Sequence, residues 1–85
     1  MKVAVSPDAA DLIRRCGGEL YLWAGPLPGE ISCSAGVAPP GKEWRRTSRP
    51  ELEIFVATGT KVPGGGIEIT LARFPRKRLQ VGPLQ

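Results

Sequence analysis

Only one stretch of this 85-residue chain has the period of an α-helix, and its own sequence closes it at both ends. Ala9, Leu12, Ile13 and Cys16 fall at i, i+3, i+4 and i+7, which puts them on one helical face. Ser6 offers a side-chain acceptor to an orphan backbone N–H, and Pro7 fits a first turn where its missing donor costs nothing. Asp8 and Asp11 complement the positive end of the helix dipole, while Arg14 and Arg15 complement the negative end. Gly17 and Gly18 then permit the left-handed turn that stops the helix. On this spacing Cys16 is a small buried apolar residue on the inner face. With helix confined to these residues, the rest of the chain has to bury its apolar side chains through strands.

The strands are marked by two-residue alternation between hard breaks. Eleven glycines and nine prolines punctuate the chain, so turns and loops occupy much of it. Residues 2–5, with Val3 and Val5 on one side, predict a short edge strand. Residues 20–24 carry Leu20, Leu22 and Ala24 on one face and Tyr21 and Trp23 on the other, the mark of a strand covered on both sides. The run 25–29 breaks it, and 30–34 predicts a short strand leading to Cys33 in a small, polar, loop-like setting. From 35 to 50 no period survives. Arg45, Arg46 and Arg49 read as a solvated loop that Trp44 anchors to the core. Residues 52–56 and 67–71 alternate cleanly and predict two good strands, joined across 58–66 by a long hairpin-like connection. Residues 76–81 predict a last edge strand with Leu79 and Val81 inward and Arg78 and Gln80 outward, after which 82–85 frays. The expected fold is α+β, a single domain over 1–81, with one N-terminal helix packed on a mostly antiparallel twisted sheet or flattened β-sandwich.

Composition narrows the chemistry. The chain has no histidine, so a Ser–His or Cys–His nucleophile cannot be built within it, and the usual general base is missing. Its eight carboxylates are spread out: Asp8 and Asp11 already serve the helix, and Glu53 and Glu68 fall on polar strand faces. The expectation is a protein that is not an enzyme. Residues 59–64 have the first part of a phosphate-loop spacing, but Gly65 and Gly66 stand where Lys and Ser or Thr are required, so no phosphate cradle is assembled. Two cysteines are too few for a secreted disulfide scaffold of this size, and both read as reduced thiols. No apolar run approaches a membrane span, and residues 1–5 are too short for a secretory core, so a cytoplasmic protein without membrane partners is expected.

Two stretches remain as candidate sites. Cys33, between Ser32 and Ser34, is the one soft nucleophile or thiolate ligand in a loop-like position, and activity there requires a lowered pKa. Arg73, Arg76, Lys77 and Arg78 surround Phe74, and the chain carries a net charge of +4. Cations beside an aromatic are the means by which a protein contacts phosphates and stacks a base, so these residues are candidates for binding nucleic acid or an acidic protein partner. A basic edge strand also resists edge-to-edge aggregation.

The order of these features resembles the HesB-like family of A-type iron–sulfur cluster carriers. Val3-Ala4-Val5-Ser6-Pro7-Asp8-Ala9-Ala10 looks like that family's opening strand and its Ser-x-x-Ala-Ala helix entry. Gly17-Gly18 followed by Glu19-Leu20-Tyr21-Leu22-Trp23 looks like its first core strand. Ser32-Cys33-Ser34-Ala35-Gly36 is similar to its Cys-Ser-Gly ligand loop, with one residue inserted before the glycine. The resemblance implies a HesB-like fold, a part in iron–sulfur cluster assembly, and Cys33 as the ligand of an iron–sulfur cofactor. The family's C-terminal Cys-x-Cys pair is absent. Such clusters need about four thiolates. The resemblance therefore implies a degenerate cluster site, in which a homodimer brings two copies of Cys33 and Cys16 or an external thiol completes the set.

Overall fold

The segment around Ser6 folds as its residues dictate. A computed structural model describes residues 2–47 and 52–84. Helix α1 (Pro7–Arg15) begins at Ser6, whose hydroxyl accepts from the Ala9 N–H at 3.4 Å and donates to the Asp8 carboxylate at 2.7 Å. Asp8 also accepts from the Ala9 N–H at 3.0 Å. At the other end the Gly18 N–H reaches back to the Ile13 carbonyl at 2.9 Å and the Gly17 N–H to the Arg14 carbonyl at 3.1 Å, with Gly17 at φ +106°. This is a left-handed stop that satisfies carbonyls the helix leaves unpaired. Cys16 is the C-cap residue and is exposed, contrary to the buried position its spacing predicts. The chain has already begun to turn away there, and the helical period no longer sets the side chain's direction.

Among the described residues seven strands form two sheets. Strands β1 (Val3–Val5), β6 (Ile67–Ala72) and β7 (Arg78–Pro83) lie in the order β1-β6-β7. Strands β2 (Glu19–Ala24), β3 (Ile31–Ala35), β4 (Trp44–Thr47) and β5 (Glu53–Ala57) lie in the order β3-β2-β5-β4. The edge strands β3 and β7 pack against each other and bring the two sheets together. The α+β class and the single N-terminal helix match expectation among the described residues, but the sheets are mixed. β1 runs parallel to β6 and β2 parallel to β5, while β2–β3, β4–β5 and β6–β7 are antiparallel.

Three expectations are corrected. The connection 58–66 does not close a hairpin; it crosses from β5 in one sheet to β6 in the other. Trp44, Arg45, Arg46 and Thr47 form an edge strand on β5 instead of a solvated loop, and Arg49 of that expected loop lies outside the described residues. The last strand does not fray after Val81, since Gly82 and Pro83 pair with Glu68 and Ile67 and the Leu84 N–H donates to the Gly66 carbonyl at 3.1 Å.

The core is aliphatic. Ile13 from α1, Leu20 and Leu22 from β2, Ile54 from β5, and Ile67 and Ile69 from β6 are its largest fully buried side chains. None of the five aromatic residues belongs to it. Helix α1 touches both β6 and β2, so one helix face seals both sheets. On the β5–β6 connection Gly66 is the most tightly constrained glycine. It is buried, sits at φ +100°, and a Cβ there would collide with the Lys2 carbonyl. That approach lets the Ile67 N–H reach the Lys2 carbonyl at 2.9 Å and starts the β1–β6 pairing.

Gly66→Ala is expected to destabilise by about 2 kcal/mol or more in denaturant titration. Gly64→Ala, where a side chain meets nothing within 4 Å, stays within about 1 kcal/mol. Asp8 makes a further prediction. The Ser6 hydroxyl, helped by Arg73, holds its carboxyl below the ordinary range against a smaller opposing effect of burial. A depressed carboxyl contributes stability above its unfolded pKa of about 4 and loses it as pH falls through the folded value. Asp8→Asn should therefore flatten the fall of stability below about pH 4 and leave the slope near neutrality unchanged.

Candidate functional site

Cys33 lies in a strand, not a loop. It is the middle residue of β3, paired with Leu22 on β2, and alternation turns its side chain toward the core together with Ile31 and Ala35. Its thiol points at the Leu79 carbonyl of β7 at 3.8 Å, a weak sulfur contact across the place where the two sheets meet. Burial pushes the thiol pKa up, opposite to the shift a reactive thiolate requires. The groove beside it, about 570 Å³, is lined by Glu30, Glu68, Arg78 and Gln80 among others, so Cys33 is reached from one side. Among the described residues no cluster of three or more His, Cys, Asp or Glu side chains has the arrangement of a metal site. Cys16, exposed at the far end of α1, takes no place beside Cys33 in that groove.

The basic segment is the turn of the β6–β7 hairpin. Residues 73–77 join the two strands, and Ala72 pairs with Arg78 at its base. Phe74 stands at the turn with 88% of its surface exposed. The four cations are not equivalent. Arg73 is held by the Asp8 carboxylate at 3.2 Å, whereas Arg76, Lys77 and Arg78 make no ion pair with any described residue. The Asp8–Arg73 pair ties the hairpin to the start of α1; Arg76, Lys77 and Arg78 stay exposed, Lys77 bordering a depression with Asp8 and Asp11 and Arg78 the groove beside Cys33.

A second surface escaped the sequence reading because β4 did. Along β2 the buried residues are Leu20 and Leu22, so Tyr21 and Trp23 face away from the core. Phe55 stands opposite Tyr21, Arg46 opposite Phe55, and Trp44 opposite Ala57, all on that outer face. The Tyr21 and Phe55 rings stack at 5.1 Å with 13° between their planes, side by side on neighbouring strands. Trp44 meets Tyr21 edge-on, also at 5.1 Å but at 67°. Its indole therefore leans across the sheet over Ala57, which explains how an alanine outside the core is only 7% exposed. Arg46 pairs with Glu53 at 3.0 Å at one end of this face. Burial and the Glu19 carboxylate push the Tyr21 hydroxyl pKa up. The signal that could have located β4 is Trp44 and Arg46 two residues apart, a weak alternation without aliphatic partners.

No family model, curated protein or solved structure matches this chain. No helix among the described residues is long and apolar enough to cross a membrane.

The two cysteines offer a direct check on the site. With iodoacetamide in native buffer, Cys16 should be alkylated first and Cys33 at least tenfold more slowly, with the difference removed by denaturant; peptide mass spectrometry reads both.

Proposed function

We propose that this chain is a cytoplasmic, non-enzymatic binding module that contacts nucleic acid through the β6–β7 turn. The observation that carries the reading is Phe74, 88% exposed, beside three cations that no described carboxylate neutralises. A single exposed aromatic is ordinary on a protein surface, and what distinguishes Phe74 is the run of unpaired cations that follows it in the chain. Arg76, Lys77 and Arg78 supply phosphate contacts, and the Phe74 ring supplies a stacking surface for an unpaired base. A base is available to such a ring in a single strand and is stacked away in a duplex. Arg73 has a different part: bound to Asp8, it orients the turn and contributes little to the charge a ligand meets.

A second reading keeps the HesB-like fold and an iron–sulfur role for Cys33. What favours it is that Cys33 borders an open groove instead of a sealed core. On this reading two chains pair, each giving Cys33 to a cluster completed by other thiols. Anaerobic reconstitution with iron and sulfide then yields a visible chromophore that Cys33→Ala abolishes, and a colourless protein contradicts it.

For the leading reading, a fluorescent oligothymidylate should bind at low salt with affinity falling as salt rises. The slope of log K against log salt is about −2 if the three free cations each meet a phosphate. Replacing Arg76, Lys77 and Arg78 with glutamine should remove most of that slope, whereas Arg73→Gln should weaken binding by less than about threefold. Undetectable binding at low salt, or a slope unchanged in the triple variant, overturns the reading.

A further inference from the structure

Strand β4 ends the four-stranded sheet, and its outer edge meets no other strand among the described residues. The register decides which of its backbone groups face that edge. The Thr58 N–H donates to the Glu43 carbonyl at 2.9 Å, one step beyond the Trp44–Ala57 pair, so Glu43 and Thr58 form a hydrogen-bonded pair of the antiparallel ladder. Alternation makes Arg45–Val56 and Thr47–Ile54 hydrogen-bonded in turn and leaves Trp44–Ala57 and Arg46–Phe55 without mutual bonds. The far side of β5 agrees. There the Glu53 N–H donates to the Gly18 carbonyl at 2.9 Å, where the parallel pairing with β2 begins, which leaves Ile54 and Val56 to face β4. The N–H and C=O groups of Trp44 and Arg46 therefore point away from the sheet, spaced as an added strand requires.

A groove of about 460 Å³ runs beside this strand, with Arg45, Arg46 and Thr47 in its wall together with Val56, Thr58 and Thr60. Arg45 stands on the core-facing side of the sheet next to buried Val56, yet it is exposed and makes no ion pair with any described residue. Among the described residues no carboxylate lines this groove. Glu53 is held by Arg46 at 3.0 Å, and Glu43 borders a different depression. The unopposed charge and the outward backbone groups match one kind of ligand, an extended chain that carries carboxylates. A second copy of this chain does not supply it. Pairing two β4 edges about their centres sets Arg45 directly opposite Arg45, and like charges so placed are destabilising.

We infer that the β4 edge is a docking site for an extended acidic segment of a partner protein, which adds as a fifth strand to the four-stranded sheet. Backbone bonds to Trp44 and Arg46 hold the segment, and a carboxylate opposite Arg45 sets the choice of charge. The Thr58 and Thr60 hydroxyls are further donors in the same groove. The site uses no residue of the β6–β7 turn and stands or falls apart from the nucleic-acid reading.

The test adds a labelled peptide of alternating threonine and glutamate, or its lysine counterpart, to the full chain at low salt. The glutamate peptide should bind and slow hydrogen exchange at the Trp44 and Arg46 amides, and the lysine peptide should not bind. Arg45→Glu should weaken binding about tenfold or more. Arg46→Pro, which removes an outward donor and no bond to β5, should do the same, whereas Arg46→Gln, which keeps that donor, changes affinity by less than about threefold. Equal binding of the two peptides, binding that leaves those two amides unprotected, or no binding of the glutamate peptide overturns the site. So does concentration-dependent dimerisation that protects the same amides without peptide. Loss of peptide binding in the triple glutamine variant of Arg76, Lys77 and Arg78 also overturns it, since the acidic contact is then at the turn.

Discussion

The burial of one face of α1 against two sheets at once holds this small protein together. Ile13 is wholly buried, and α1 touches β2 in one sheet and β6 in the other. A chain of this size has few apolar residues to spare, and here the ten buried core residues among those described are all aliphatic. Once α1 is docked, β1 is carried to β6 and the Ser6 N–H to the Ile69 carbonyl at 2.9 Å, so the start of the helix is also stitched to the sheet. The other contact between the sheets, β3 on β7, includes the Cys33 thiol. A residue there serves packing first. Desolvation at that position works against a charged sulfur and pushes the thiol pKa up.

Aliphatic closure of the core has a consequence for the surface. Tyr21, Trp23, Trp44 and Phe55 are all left on the outer face of one sheet, and Phe74 at the tip of the other. Three of them are engaged with one another in two ring contacts. Trp23 and Phe74 are in neither contact. Pairing with acids also divides the basic residues: Arg14, Arg46 and Arg73 are paired within the fold, whereas Arg76, Lys77 and Arg78 make no ion pair with any described residue.

Much of the fold was legible in the sequence wherever a local signal sufficed. Ser6, Pro7, Gly17 and Gly18 bound the helix to within a residue, because capping depends only on neighbours in the chain. β2, β5 and β6 declared themselves by alternation around Leu20, Ile54 and Ile67. What local signals do not carry is partnership. Val3 pairs in parallel with Ile67, far along the chain, and no turn chemistry specifies that choice. β4 was missed because its outward residues are Trp44 and Arg46 and its other residues are Arg45 and Thr47, so no aliphatic stripe marks it. Ser32-Cys33-Ser34 looked like a loop because small polar residues at an edge give little contrast between faces, although Cys33 does face inward. Of the candidate sites, the cations of the β6–β7 turn were visible as a charge run. Their inequality was not, since Asp8 selects Arg73 only in three dimensions.

The central claim is that ligand contact occurs at the β6–β7 turn and not at the cysteine. A 1H–15N NMR titration of the folded protein with oligothymidylate tests this residue by residue. The account predicts amide shifts at Phe74, Arg76, Lys77 and Arg78, with β3 around Cys33 and its partners on β2 unmoved. Shifts centred on Ile31, Ser32 and Cys33, or no shifts at saturating oligonucleotide and low salt, would contradict it.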